Sequence, residues 1–317
     1  MRTLQGKVFA IIGGDGFLGS HLIQSLATEG ACVKVLCRYP QRARHLQPLG
    51  NVGQITPLFG DISSPESCYD ALSGVDGIVN FAALHGAATA SQLEAVHVTG
   101  PEAIAQFVKK QNIGTFIHLS ITSAHNPEEA SFYTPFVASK RAGEKAVKDA
   151  CPKATIIRPS LMFGADDKLF NAYARLAQFS PVLPLLMPGE TKVSHVDVDD
   201  VASAIAHLLN KNAFQGETFS LQGPRDMTFE AVIQQICRFL GRRRHLISLS
   251  SGISRAFCHV AGFIPHYPLG KRQLSLLSQD HGTEKGTLTF KDLSIDASPL
   301  EEVMPAYLNT FRKCVGV

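Results

Sequence analysis

The run Val8 to Gly19, VFAIIGGDGFLG, constrains this chain more than any other stretch. An apolar segment, Val8 to Ile12, enters a loop carrying Gly13, Gly14, Gly16 and Gly19, and SHLIQSLATEG then reads as a helix. Strand, glycine turn and helix in that order make an anion cradle. Glycines let the chain turn tightly and bring backbone N–H groups toward a pyrophosphate, and the helix start adds orphan donors and partial positive charge. The spacing also satisfies GxxGxxG over Gly13, Gly16 and Gly19, with the last allowing helix to pack closely on strand. Gly13, Gly16, Phe17, Leu18 and Gly19 are therefore expected to hold the phosphates of a dinucleotide.

With 317 residues, 45% hydrophobic and 18% charged, the chain can bury a large core and is not a disordered polypeptide. A net charge of +3 carried by dispersed basic residues gives no reason to expect a nucleic-acid partner. The one basic run, Arg242 to Arg244, reads as a solvated helix end. Seven cysteines without a CxxC pair argue against zinc and against a disulfide framework, and fit a reducing compartment. The first strand begins a few residues after Met1, leaving no room for a signal or transit peptide outside the fold. No apolar run reaches the length needed to span a bilayer.

Cys32 to Cys37 reads as a second strand, and it ends in Arg38 rather than a carboxylate. An acid there would bond the ribose 2′-OH of NAD, whereas an arginine accepts a 2′-phosphate, so NADPH is expected over NAD. Arg42 and Arg44 add charge nearby. After a third strand, Gly53 to Phe59, come Asp61 and Ile62. The Asp61 carboxylate either meets an adenine amino group or caps a helix starting near Pro65. A fourth strand, Val75 to Ala83, ends in the small residues Ala82 and Ala83, beside which a cofactor can lie. A helix over Glu94 to Lys110 and a fifth strand, Thr115 to Leu119, lead to Ser120.

Further on, Ala154 to Ile157 forms a sixth strand, Lys168 to Phe179 a helix and Ser180 to Pro188 a Pro/Leu-rich loop. Val193 to Val198 returns into a helix, Val201 to Leu209, with Asp199 or Asp200 as N-cap. Glu217 to Leu221 is a late strand, and Thr228 caps a helix ending at Leu240. His195 reads as a structural histidine at a strand end, having no nucleophile opposite it. Alternation of strands and helices implies an α/β fold: a doubly wound parallel (Rossmann) sheet with a smaller C-terminal α/β subdomain. Residues 1–164, with 190–222 returning, are assigned to the dinucleotide-binding domain, and 165–189 and 223–317 to the smaller one.

The segment FYTPFVASKRAGEKAV, Phe132 to Val147, resembles the extended short-chain dehydrogenase/reductase superfamily. That resemblance implies a Ser or Thr after the fifth strand and a Tyr-x-x-x-Lys helix, the lysine holding the nicotinamide ribose and lowering the tyrosine pKa. Lys140 matches the lysine, and Thr122, or Ser123 one residue on, matches the hydroxyl. Phe136 stands where the tyrosine would be, and a phenyl ring has no proton to give. Tyr133 lies seven residues ahead of Lys140, with Pro135 breaking a continuous helix between them. Arg158 to Gly164, including Pro159, Ser160 and Phe163, resembles the segment passing over the nicotinamide. The site thus reads as one that holds cofactor and does not catalyse on its own. An NAD(P)-dependent reductase or sugar-nucleotide epimerase/dehydratase with another proton donor is the alternative.

A narrower resemblance rests on several runs: HLQPLG from His45, AGEKAVKDA from Ala142, Arg158 to Gly164, LFN from Leu169, SPVLPL from Ser180 and YLNTFR from Tyr307. Together they are similar to the NDUFA-nine-type family, the nucleotide-binding accessory subunit of respiratory complex I and its bacterial homologues. The family implies tightly held NADPH with a structural role, partners among the peripheral-arm subunits near the membrane, and a cytoplasmic position at the inner face of the bacterial plasma membrane, or the matrix side in an organelle. Many members keep the tyrosine, so Phe136 is a departure. Residues 247–264 space Leu249, Ile253, Phe257, Val260, Ala261 and Ile264 as an amphipathic helix, with Arg255, Lys271 and Arg272 as basic flanks. Such a helix packs in a small subdomain core or lies on a membrane surface or a partner.

Overall fold

The computed structural model describes residues 3–84, 88–122, 135–211, 214–261 and 287–312, with the single positions 269 and 277. The glycine turn joins β1 (Val8–Ile12) to α1 (Phe17–Thr28), and β2 (Cys32–Cys37) follows. A 3-10 segment, Pro40–Leu49, leads to β3 (Ile55–Phe59), α2 (Glu66–Leu72) and β4 (Gly77–Asn80). Next come α3 (Ala90–Glu94), a π turn at Ala95–Thr99, α4 (Gly100–Gln111) and β5 (Thr115–Leu119). Then α5 (Pro135–Ala150), β6 (Thr155–Pro159), β7 (Leu161–Phe163), α6 (Phe170–Phe179) and β8 (Val182–Leu185). The chain continues through β9 (Lys192–Asp197), α7 (Val198–Lys211), β10 (Thr218–Leu221), β11 (Asp226–Thr228) and α8 (Phe229–Phe239). Last are β12 (His245–Ser248), α9 (Ser251–Ala261) and α10 (Leu300–Leu308).

Seven strands form one sheet in the order β10-β6-β5-β4-β1-β2-β3, every pair parallel. The sheet buries apolar side chains on both faces, as parallel sheets with helical crossovers must. Leu22, Ile23 and Leu26 of α1 join Val201 and Ile205 of α7 in one core, and Ile104 and Val108 of α4 join Ala10, Ile78 and Ile156 in the other. Strand order reverses between β1 and β4, which opens a crevice above their carboxyl ends.

A separate core, with Phe163, Phe170, Tyr173, Phe229 and Ile233, lies among α6, α8 and two small sheets. In one, β9 pairs parallel with β7 and antiparallel with β11; in the other, β12 pairs parallel with β8. The stretch 193–198, expected as a return of the chain to the dinucleotide-binding domain, is mostly the central strand of the three-stranded sheet. The loop expected over 180–188 holds β8, tolerated by Pro184 because β12 pairs on one side only. Of the helix expected over 247–264, residues 247–248 belong to β12 and 251–261 to α9, because His245 to Ser248 finds a strand partner 63 residues back in sequence, and 262–264 lie outside the described residues.

The expected single helix over 94–110 is α3 and α4 joined by the π turn. Asp199 and Asp200 lie in the first turn of α7 rather than capping it: Asp199 pairs with His21 at 2.6 Å, and Asp200 accepts from the Ser298 N–H at 2.6 Å. Thr228 caps α8 as expected, accepting from the Ala231 N–H at 3.2 Å. Arg242 and Arg244 are not a solvated helix end. They donate to the Gln178 and Ala177 carbonyls, capping α6, whose own last turn has no basic residue.

Candidate functional site

A cleft of about 400 Å³ opens at the carboxyl ends of β1 to β6. Its floor is the glycine turn. Gly13 has φ +73°, and a Cβ there would lie 2.9 Å from the Ala82 backbone nitrogen. At Gly19 a Cβ would meet the Gly14 carbonyl oxygen at 2.4 Å, so only glycine lets α1 start so close to β1. Above Gly16 the space is open, since a Cβ would touch only the Gly13 oxygen at 3.3 Å. No side chain caps α1 at Gly16, which leaves the first-turn donors of Phe17, Leu18 and Gly19 facing outward. A cradle that any Cβ would close, beneath an uncapped helix start, fits a pyrophosphate.

One end of the cleft is set by β2 and β3. Arg38, exposed at the end of β2, lines the wall, and the Arg42 guanidinium stacks over the Tyr39 ring at 4.8 Å beside it. Arg44 is not part of the lining. Asp61 and Ile62 line the same end. The Asp61 carboxylate accepts from the backbone and hydroxyl of Ser63 at 2.9 and 2.7 Å, so it does not cap α2 and stays beside the cleft.

The middle wall is fixed from behind. The Ala82 N–H donates to Asn80 Oδ1 at 3.0 Å, which orients the amide so that its Nδ2 donates to His118 Nδ1 at 3.1 Å. Burial pushes the imidazole down to about 3, with Lys140 adding to the shift, so His118 is neutral. Ala82, Ala83 and Leu84 then pass along the cleft, and the Leu84 N–H donates to His97 Nε2 at 3.0 Å. His97 Nδ1 lies 2.7 Å from Ser139 Oγ, which donates to the Phe136 carbonyl at 2.8 Å.

At the far end stand Phe136 and Lys140, one helical turn apart on α5. The Phe136 ring packs with Leu93, Ile121 and Val137 and meets the His97 ring edge-on at 5.2 Å. Lys140 is buried, and its Nζ donates to the Leu119 carbonyl at 3.1 Å. Burial lowers its pKa from 10.5 to about 8, against the opposing pull of Glu144. Glu144 is held by Arg158 through two bonds, at 2.9 and 2.6 Å. Ser120 and Pro159 line this end, and the buried Ser120 hydroxyl has no partner among the described residues.

Three expected contacts are absent from the cleft. Thr122 is buried and does not line it, although Ser120 and Ile121 before it do. Ser160 is buried behind Pro159, and Phe163 lies wholly in the second core against Phe170 and His195. On β7, Leu161 packs into that core and Met162 against the core of the large sheet, and both reach the cleft edge. Ser123 and Tyr133 lie outside the described residues. The sequence reading missed Asp167, Lys168 and Leu169, which close the lower rim. Asp167 Oδ1 accepts from the N–H groups of Leu169, Phe170 and Asn171, so an aspartate three residues before an apolar run was the available signal. Burial raises its carboxyl to about 6 despite those bonds. His195 is buried on β9 and pushed down to about 4 by burial, in keeping with a structural histidine.

A switch-point crevice above a parallel sheet, floored by a glycine turn and an uncapped helix, defines an NAD(P)-binding protein of the Rossmann type. The chain belongs to the NAD dependent epimerase/dehydratase family, whose pattern matches residues 9–221. It is 27% identical to the NADH-ubiquinone oxidoreductase 40 kDa subunit of Neurospora crassa, over 98% of this chain and 81% of that one. To the NADH dehydrogenase [ubiquinone] 1 alpha subcomplex subunit 9 of Dictyostelium discoideum it is 29% identical, over 97% of this chain and 85% of that one. A solved structure of the Bordetella bronchiseptica enzyme WbmH in complex with NAD+ shares the fold, with a TM-score of 0.67, 17% identity and coverage of 97% and 99% of the two chains. Among the described residues no helix is long and apolar enough to cross a membrane, and no three His, Cys, Asp or Glu side chains are grouped to hold a metal.

Proposed function

We propose that this chain holds NADP(H) without turning it over and serves as an accessory or assembly subunit of respiratory complex I. The observation that carries the reading is Phe136. Lys140 is retained at a burial cost and the glycine cradle is intact, yet the position four residues before Lys140 has no ionisable proton. Likeness to complex I subunits over nearly the whole chain supports the same reading.

In this reading the N–H groups of Phe17, Leu18 and Gly19 hold the pyrophosphate. Arg38, with Arg42 beside it, favours a 2′-phosphate over a bare ribose, and Asp61 accepts from an adenine amino group. Lys140 donates to the nicotinamide ribose, while Phe136 and Ile121 shield that end from water. A bound nicotinamide supplies hydride chemistry, and no group among the described cleft residues stands in the tyrosine's place to complete it with a proton. The chain gains stability from occupancy by mass action. Its place would be on the peripheral arm near the membrane. Ile253 and Val260 of α9 are 57% and 63% exposed and offer apolar surface for contact there.

Affinity purification of the tagged chain from gently solubilised membranes tests this directly. Complex I subunits are expected with it. Their absence, or oxidation of NADPH above the buffer rate across a panel of ketones and sugar nucleotides, would overturn the proposal.

A further inference from the structure

The loop from Gly164 to Leu169 joins β7 to α6, and its last three residues form the lower rim of the cleft. Asp167 fastens that end of the loop to α6, through the N–H groups of Leu169, Phe170 and Asn171. The other end of the loop meets α1 at His21, whose Nε2 lies 3.4 Å from the Ala165 carbonyl oxygen. The second ring nitrogen, Nδ1, lies 2.6 Å from Asp199 Oδ1 on α7. One helical turn back, the Phe17 ring lines the cleft and meets the imidazole edge-on at 5.5 Å.

Both ring nitrogens of His21 therefore face acceptors. A neutral imidazole has one N–H and one lone pair, so it satisfies only one of the two, whereas an imidazolium donates to both. The shorter contact decides which bond depends on the charge. With a single proton His21 keeps it toward the Asp199 carboxylate, and the Nε2 lone pair then opposes the Ala165 oxygen. Packing of α1 on α7 does not rest on this pair, because Leu22, Ile23 and Leu26 join Val201 and Ile205 in an apolar core. Loss of the proton thus loosens the loop and leaves the helices assembled.

The groups around the ring favour the proton. Burial lowers the pKa of His21, but the Asp199 bond and the charges of Asp199 on α7 and Asp197 at the end of β9 outweigh it, and the sum is raised above 6.5. Burial holds the Asp197 carboxyl at about 6, so it is ionised where His21 titrates. Asp200 is turned to Ser298 and Asp167 to the start of α6, Asp166 and Lys168 of the loop are exposed, and α1 has no Lys, Arg, Asp or Glu. A histidine of this kind gives its full contact below pH 6.5 and loses it as pH rises through the folded value. We infer that His21 is a proton-operated latch: its imidazolium ties the β7–α6 loop to α1 and holds the lower rim of the cleft in place, and loss of the proton releases it. By linkage, a nucleotide seated against that rim and the proton on His21 favour one another, a coupling that rests on the proposed occupancy of the cleft.

Hydrogen exchange in the full-length, nucleotide-free chain, corrected for the intrinsic effect of pH, reads the loop at 164–169 and α1 at 20–28. Between about pH 6 and about pH 8.5 protection of the loop should fall about fivefold, while α1 stays constant. His21→Gln, which carries no charge, should show the low value throughout, and Asp199→Asn should move the midpoint down. NADPH titrations of the same proteins share the titration of Lys140 and of the 2′-phosphate, so the unaltered chain should lose more affinity with rising pH than His21→Gln does. Saturating NADPH should raise the titration midpoint of the His21 ring read by NMR. The same pH dependence of loop exchange with and without His21, α1 opening in step with the loop, or an unmoved His21 midpoint with NADPH bound would overturn the inference. A chain that takes no NADPH but keeps a His21-dependent loop would leave the latch standing while removing the proposed function.

Discussion

Phe136 and Lys140 sit on one face of α5, and the lysine is held there at a cost. Its pKa falls from 10.5 to about 8, so near neutral pH the folded chain carries a desolvated ammonium that Glu144 partly balances. A base depressed in the folded state costs full stability below about pH 8, and the cost fades as pH rises toward 10.5. Lys140→Met should therefore raise the stability of nucleotide-free protein at pH 7 by about 1–3 kcal/mol. The gain should shrink between pH 8 and 10.5 while NADPH affinity drops, which denaturant titrations at several pH values and binding isotherms will read. Arg38 makes the matching test of specificity. Arg38→Asp should weaken NADPH about tenfold or more and leave NADH little changed, because a charge-assisted donor to phosphate is worth about 1.5–3 kcal/mol. Equal losses for both nucleotides would remove Arg38 from the 2′-phosphate.

At the scale of elements, the π turn and α5 approach so closely that a Cβ on Gly143 would lie 1.9 Å from the His97 carbonyl oxygen. Backbone cannot give way as a side chain can, so Gly143→Ala should cost about 3 kcal/mol or more and loosen the Leu84 wall that His97 holds. Gly252→Ala on α9, where a Cβ meets nothing within 4 Å, is the control and should be neutral or gain up to about 1 kcal/mol. Thermal melts of both variants decide this.

The same elements show what the sequence could and could not disclose. β1, β2 and β5 were legible because apolar runs bounded by glycine or charge are local signals, and the glycine turn was legible because at Gly13 and Gly19 its backbone leaves no room for a Cβ. The pairing of β8 with β12 was not, since it joins segments 63 residues apart, and both are too short to carry a period of their own. Pairing across that distance also hid the caps that Arg242 and Arg244 place on α6. In the site, residues at strand ends were found from motif spacing. Asp167 and Lys168 were missed because they reach the cleft from the loop after β7, outside any strand-end or glycine motif, and Phe163 was misplaced because it packs into the second core against Phe170.

Across the whole molecule, the cleft joins the two parts of the fold. Gly13, Arg38 and Ala82 come from the large sheet, while Asp167 and Leu169 open the segment that builds the second core. A ligand that touches both binds only when they are assembled, so occupancy should raise the melting temperature of the chain as one transition. The most direct test of the account is to denature the purified chain gently and identify by mass what it releases. NADPH or NADP at about one per chain is expected. Release of no nucleotide, together with no thermal shift on added NADPH, would contradict it.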